Sequence, residues 1–148
     1  MADAVFLDTN VLVYTFDDTA PVKRDAARAL VGRALADGSG RISFQVVQEF
    51  LNVATRKFAV PMDEARARAY LAAVLAPLCT VFASTTLYER ALGVRERWRF
   101  SWYDSLLVAA AVDSGAGILY SEDLRHGQRV ETLTVVDPFL DGSAAHDG

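Results

Sequence analysis

Short strand-like segments alternate with longer helix-like segments along almost the whole chain, and this alternation constrains the fold more than any other feature of the sequence. Five segments have the length and composition of strands, at residues 4–7, 41–43, 80–82, 117–120 and 133–136. Segments with helical patterns occupy residues 11–14, 19–37, 44–56, 63–75, 87–98 and 102–112. Strands that alternate with helices build a parallel sheet covered by helices on both faces. We therefore predict a three-layer α/β/α fold with a short central parallel sheet.

Capping and turn residues predict where several helices begin and end. Thr9 or Asn10 is a candidate cap for the first helix, and Ser43 is one for the helix at residues 44–56. Pro77 follows the helix at residues 63–75, so we expect that helix to end before it.

The size of the chain indicates one domain. With 148 residues, we expect a single domain over residues 1–141 and a flexible, polar tail over residues 142–148. No apolar segment reaches the roughly 18 residues that a membrane span needs, and the first residues lack the basic region of a secretory signal. One cysteine, Cys79, excludes an internal disulfide. Together these features predict a cytoplasmic protein.

Four acidic residues lie where a ligand site is expected in such a fold. Open α/β sheets bind ligands at the carboxyl ends of their strands. Asp8 directly follows the first strand, and Asp123 lies just after the strand at residues 117–120. Glu49 lies in the second turn of the third helix and Asp104 in the first turn of the last one. The predicted topology could direct all four side chains into one crevice.

Four neighbouring carboxylates indicate a binding site for a divalent cation. Mg²⁺ and Mn²⁺ prefer carboxylate and water oxygens, and without a cation four carboxylates in one crevice would repel each other. One or two bound ions can hold an attacking water and polarise a phosphodiester. The chain has two histidines far apart in sequence and one cysteine, so it offers no competing set of metal ligands.

Each acid also has an ordinary structural explanation when it is considered alone. Asp8 and Asp123 could simply cap the turns that follow them, and Asp104 could be an acid favoured by the helix dipole. Glu49 lies toward the polar margin of its helix, where a side chain can be solvated. The hypothesis of a metal site therefore depends on their joint placement.

Four motifs around these acids resemble, in order, those of PIN domains. They are VFLDTNVLVY at residues 5–14, FQVVQEF at 44–50, WYDSLL at 102–107 and ILYSEDL at 118–124. The resemblance extends from about residue 4 to residue 139. A PIN domain of this size on its own is similar to the VapC-like toxins of bacterial type II toxin–antitoxin pairs.

The resemblance implies a metal-dependent endoribonuclease that hydrolyses RNA phosphodiester bonds with one or two Mg²⁺ or Mn²⁺ ions. It also implies an RNA substrate, a small antitoxin partner and a homodimer. The residues that match the catalytic acids and metal ligands of the family are Asp8, Glu49, Asp104 and Asp123, and those that match its supporting positions are Asn10 and Ser121. Either Glu122 or Asp123 could point into the site, and we choose Asp123.

An RNA substrate also requires positive charge on the protein surface. Arg97, Arg99 and Arg125 are candidates for contacts with RNA phosphates because they lie near the motifs that flank the predicted crevice. The alternative is that they are ordinary solvated charges. His126 follows Asp123 closely, and we interpret it as an ordinary loop residue.

Two alternative functions remain open from the sequence. A haloacid-dehalogenase-like phosphatase also begins with a strand and an aspartate, but its second aspartate would fall at Asn10. That family also needs a later lysine, and the only lysines are Lys23 and Lys57. A non-catalytic PIN-like module that binds RNA or protein would be expected to have lost an acid, whereas all four are present.

The net charge of −4 and the pI of about 5.1 argue at first against a nucleic-acid substrate, because such proteins are usually basic. The chain has 19 acidic and 15 basic residues. When the four proposed site acids are set aside, 15 of each remain. The predicted metal site thus accounts for the whole acidic surplus.

Overall fold

The computed structural model describes residues 3–140, and a six-stranded sheet forms its centre. The strands are β1 (Val5–Leu7), β2 (Gly40–Ser43), β3 (Cys79–Val81), β4 (Ile118–Tyr120), β5 (Arg129–Val130) and β6 (Leu133–Val136). Their order across the sheet is β3-β2-β1-β4-β6-β5, and all neighbours are parallel except β5, which is antiparallel to β6. The predicted α/β fold with a central, mainly parallel sheet is confirmed.

Seven α-helices flank this sheet in the described part of the chain. They are α1 (Thr9–Tyr14), α2 (Pro21–Ala36), α3 (Phe44–Arg56), α4 (Glu64–Tyr70), α5 (Ala76–Leu78), α6 (Thr85–Trp98) and α7 (Trp102–Asp113). The bounds of α3 are those predicted. The predicted cap of α1 was wrong: Asp8 is the N-cap, because its side chain accepts the hydrogen bond from the Thr9 backbone amide. Ser43 occupies the N-cap position of α3 without making a side-chain capping bond.

The helix predicted to end before Pro77 continues through it. A π-helical turn, Leu71–Leu75, joins α4 to α5, and Pro77 lies in the first turn of α5. Proline has no backbone N–H to donate within the helix, and the π-helical turn just before Pro77 is where the regular hydrogen-bond ladder is interrupted.

The short strand β5 was not predicted. It has two residues, of which Arg129 is exposed and Val130 is buried, so its apolar pattern is too short to recognise. A turn in which Glu131 adopts a φ of 55° connects it to β6.

The core lies on both faces of the sheet. Phe6, Ile42, Leu119 and Val135 are fully buried in the strands. Helix α7 is buried almost along its whole length, which explains why it is apolar on all sides. On another side, an aromatic cluster joins α3 to α4, and its members are Phe16, Phe50, Phe58 and Tyr70.

Strand β1 lies between β2 and β4, so the chain proceeds to opposite sides of β1 in the two halves of the sheet. The carboxyl end of β1, at Asp8, therefore lies at the crevice where open α/β sheets bind ligands. In residues 3–140 there is no helix long and apolar enough to cross a membrane. The predicted tail at residues 142–148 lies outside the described residues.

Candidate active site

The structure brings the four predicted acids to one cavity at the carboxyl edge of the sheet. The cavity has a volume of about 380 Å³. Its acidic lining residues are Asp8, Glu49, Asp104 and Asp123. They come from the end of β1, from α3, from the first turn of α7 and from the loop after β4. Residues separated by more than a hundred positions thus share one small volume.

Asp8 is the most buried of these acids, with 6% of its surface exposed. Its Oδ1 accepts a hydrogen bond of 2.7 Å from the Thr9 amide, and its Oδ2 accepts one of 2.7 Å from Ser121 Oγ. Burial raises the pKa of Asp8 from 3.8 to about 7, the charges of Asp123 and Glu49 also raise it, and the two hydrogen bonds lower it. Without a cation, Asp8 is therefore partly protonated near neutral pH.

Glu49 is held in the cavity by two side chains that the sequence analysis did not identify. Thr9 Oγ1 donates a hydrogen bond of 2.6 Å to Glu49 Oε1, and Gln45 Nε2 approaches Glu49 Oε2 at 3.4 Å. Gln45 Nε2 also donates to the Tyr103 carbonyl at 3.1 Å, which connects α3 to the start of α7. Glu49 and Gln45 are one helical turn apart, and this spacing could have revealed Gln45 as a neighbour. Thr9 carries no comparable sequence signal beyond following Asp8.

Asp104 is positioned by the N-terminal cap of α7. Its backbone amide donates a hydrogen bond of 3.2 Å to Oγ of Ser101, the N-cap residue. The preceding Tyr103 also lines the cavity, and 64% of its surface is exposed. Asp104 is therefore both the first-turn acid that the helix dipole favours and a wall of the cavity.

The structure separates Asp123 from its neighbour Glu122. Asp123 lines the cavity, and its backbone amide donates a hydrogen bond of 3.2 Å to Ser121 Oγ. Glu122 Oε1 instead accepts a hydrogen bond of 2.8 Å from the Tyr14 hydroxyl, and Glu122 Oε2 forms an ion pair with Lys23. Of the two adjacent acids, Asp123 is therefore the one that lines the cavity.

Asn10 and Ser121, the two predicted supporting residues, have different surroundings. Ser121 is fully buried and connects Asp8 to the Asp123 backbone. Asn10 lines the cavity, and its two buried amide atoms have no hydrogen-bond partner among residues 3–140. Buried polar atoms without partners are rare in proteins, so the Asn10 amide has capacity for a ligand.

The three arginines proposed to contact phosphate do not line this cavity. The Arg97 guanidinium lies 5.3 Å from the centre of the Trp98 ring. Arg99 ends α6 with a φ of 63° and lines, together with Arg95, a separate open groove of about 780 Å³. Arg125 is exposed in the loop after Asp123.

His126 is a loop residue, as interpreted from the sequence. Its Nδ1 accepts a hydrogen bond of 3.0 Å from the Asp137 amide, which fastens the loop after β4 to the end of β6.

The donors in the cavity fit a hard cation that keeps part of its water shell. Within the described residues, no three His, Cys, Asp or Glu side chains come close enough to enclose a metal ion. Mg²⁺ does not require this, because it usually binds one or two carboxylates and leaves its other positions to water and phosphate. The negative charges of Asp123 and Glu49 help to raise the pKa of Asp8. A bound cation would offset this repulsion.

Fold and cavity together define a class of protein: a mainly parallel α/β domain with a carboxylate-lined site at the carboxyl edge of its sheet. The model of the PIN domain family matches residues 5–131, so the chain belongs to the PIN domain family. The family predicted from the four sequence motifs is thereby confirmed.

Several solved structures share the fold. A toxin–antitoxin complex from Klebsiella pneumoniae aligns at 20% identity and a TM-score of 0.62, over 88% of this chain and 95% of that one. VapBC2 from Rickettsia felis, bound to a DNA fragment from its promoter, aligns at 17% and 0.63, over 89% and 96%. Mycobacterium tuberculosis VapC20, a toxin that cleaves the sarcin–ricin loop, aligns at 21% and 0.56, over 81% and 90%. No curated protein matches the sequence significantly.

Proposed function

We propose that this PIN domain is a metal-dependent endoribonuclease that acts as the toxin of a toxin–antitoxin pair. The observation that carries the proposal is the convergence of four carboxylates on one cavity. The structural relatives support the biological role, because one is described as a toxin that cleaves the sarcin–ricin loop and two are complexes of toxins with antitoxins.

One or two Mg²⁺ or Mn²⁺ ions would be held among Asp8, Asp104, Asp123 and Glu49, each ion by one or two of these carboxylates and by water. When bound, such ions polarise the phosphodiester and lower the pKa of a water molecule that attacks it. A cation replaces the proton of a carboxyl ligand, so Asp8 would lose its proton when the site is loaded.

The surrounding side chains keep the carboxylates in place for this chemistry. Ser121 orients Asp8, while Thr9 and Gln45 orient Glu49 through the contacts described above. Asn10 lines the cavity beside Asp8, and we assign it a supporting role there. Hydrolysis by water requires no nucleophile from the protein.

RNA outside the cavity would meet positive and aromatic side chains. Arg97, Arg99 and Arg125 would contact phosphates along the strand on either side of the cleaved bond. Tyr103 lines the cavity and is largely exposed as a residue, so we propose that it stacks on a base. These contacts would supply the positive surface that the net charge of the whole chain conceals.

The solved relatives support an antitoxin partner, because one of them is described as a toxin–antitoxin complex. We propose a small antitoxin that covers the chain when the toxin is silent, a homodimer, and action in the cytoplasm. Expression of the chain alone should arrest bacterial growth, and co-expression of the product of a small adjacent gene should relieve the arrest. Normal growth together with no RNA cleavage by the purified chain would remove the basis of the toxin proposal.

The direct test is RNA cleavage by the purified chain. We expect cleavage with Mg²⁺ or Mn²⁺, none in EDTA, and a loss of more than about 100-fold in Asp8→Asn, which exceeds the usual effect of losing an outer-shell partner of a metal. Asp25→Asn is the matched control, because Asp25 lies on the exposed side of α2 with 69% of its side chain exposed. Cleavage that persists in EDTA contradicts the mechanism. A chain that binds RNA but never cleaves it would instead be the non-catalytic module.

A further inference from the structure

Two side chains outside the cavity, Tyr14 and Lys23, hold Glu122, the residue that precedes Asp123. The Tyr14 hydroxyl donates a hydrogen bond of 2.8 Å to Glu122 Oε1, and Lys23 forms an ion pair with Glu122 Oε2. Lys23 Nζ also donates to the Tyr14 hydroxyl at 3.3 Å. Each member therefore contacts the other two. We call Tyr14, Lys23 and Glu122 the Glu122 clamp.

Aromatic rings complete the surroundings of the Lys23 ammonium. Its Nζ lies 4.9 Å from the centre of the Tyr14 ring and 5.7 Å from that of Phe139, within the range of cation–π attraction. The two rings pack edge to face with their centres 4.8 Å apart. The clamp thus connects α1, α2, the loop after β4 and the segment after β6 at a single point.

Residues 121, 122 and 123 are consecutive, and each has different surroundings. The clamp holds the middle one, Glu122. Ser121 donates to Asp8, Glu122 is held by the clamp, and Asp123 lines the cavity. Because these residues share a continuous backbone, holding the Glu122 side chain restricts the rotation of the peptide units that direct Asp123. If Glu122 were released, its flexible carboxylate would lie beside a cavity that four other carboxylates already line.

We propose that the Glu122 clamp is a positioning device that keeps Glu122 out of the acidic cavity and Asp123 in it. Tyr14, Lys23 and Glu122 are positioning residues, since they act through Asp123 and do not line the cavity. The inference rests on the proposed function, in which Asp123 is a metal ligand. It adds to that function the contacts that determine which of the two adjacent acids, Glu122 or Asp123, is the metal ligand.

The test compares Lys23→Met with Arg24→Met. The two residues are neighbours on α2, and each substitution removes one positive charge and its ion pairing, which for Arg24 is with Asp18 and Asp25. The readout is Mn²⁺ affinity, measured by electron paramagnetic resonance on the metal-free full chain. We expect Lys23→Met to weaken Mn²⁺ binding about 10- to 100-fold, as the loss of an outer-shell partner does, and Arg24→Met to leave it unchanged.

The sign of the effect separates positioning from simple electrostatics. Removing a positive charge near an acidic site should strengthen cation binding if only the charge matters. The clamp predicts the opposite for Lys23→Met, and it predicts that Lys23→Arg largely restores the affinity. A purely structural role would lower the melting temperature and leave the Mn²⁺ affinity of the folded chain unchanged.

Tyr14→Phe keeps the test valid if Lys23→Met does not fold, because it removes one hydroxyl and keeps the ring packing. It should weaken Mn²⁺ binding in the same direction by a smaller factor. Folded variants that bind Mn²⁺ at least as tightly as the wild type overturn the clamp and leave the proposed function intact. A wild-type chain that binds no Mn²⁺ overturns both.

Discussion

Asp8 combines two demands that oppose each other. As the N-cap of α1 it stabilises the helix, and as a carboxylate buried among other acids it destabilises the folded chain when it is charged. A folded-state pKa of about 7 lies above the unfolded value of 3.8. The folded state therefore binds the proton more tightly, and stability from this group is lost as the pH rises through about 7.

We predict that Asp8→Asn stabilises the metal-free chain at pH 8. The difference between the two pKa values corresponds to roughly 4 kcal/mol, and the loss of one of two hydrogen bonds offsets about 1 kcal/mol of it. A gain of about 1–3 kcal/mol in the free energy of unfolding should remain. Thermal unfolding in EDTA measures it.

The dependence on pH supplies the control for this prediction. At pH 4 Asp8 is protonated in the folded wild type, and the unfolded chain is close to its pKa of 3.8, so most of the advantage of Asp8→Asn should disappear. An equal advantage at pH 4 and pH 8 would mean that the carboxylate charge is not its cause.

At the scale of elements, sequence patterns located most helices and failed where tertiary contacts decide. The bounds of α3 were predicted because its apolar residues repeat at helical spacing along the whole helix. This pattern can be read from the sequence of the helix alone. The prediction that a helix ends before Pro77 was wrong, and the strand β5 was not predicted. In both, packing against neighbours stabilises a conformation that a short sequence window does not favour.

Gly40 shows how closely the elements pack. A Cβ atom at this position of β2 would lie 2.6 Å from Leu78 Cδ2 and 2.8 Å from Ala34 Cβ. We predict that Gly40→Ala lowers the free energy of unfolding by about 1–3 kcal/mol, because the chain must separate β2 from α5 or α2. Urea denaturation of the purified chain would give the value.

Gly32→Ala is the matched control for this substitution. Gly32 lies within α2 and has nothing within 4 Å of a built Cβ, so alanine should stabilise the chain by about 0.5–1 kcal/mol. If both variants change stability in the same direction by the same amount, contact at Gly40 is not the explanation.

For the whole molecule, the acidic surplus and the cavity lead to a prediction about ions. Cations that bind the folded chain and not the unfolded chain stabilise the fold. The gain is about 2.7 kcal/mol when the free cation concentration is 100 times the dissociation constant. We expect MgCl₂ or MnCl₂ to raise the melting temperature at pH 8 well beyond NaCl of equal ionic strength. Calorimetry with both salts tests it, and equal shifts would indicate screening of the net charge of −4 without a site.

The sequence by itself determined the alternation of strands and helices, the family, and the four acids that reach the cavity. The alternation and the place of the acids depend on local composition and on the rule that the ends of parallel strands share an edge, and the family was predicted from the resemblance of four motifs. Only the tertiary structure decided that Glu122 turns away, that Thr9 holds Glu49, and that the arginines lie outside the cavity. The direction of a side chain depends on partners far along the chain: Tyr14 and Glu122 are 108 positions apart, and Thr9 and Glu49 are 40 apart. No local pattern records such contacts.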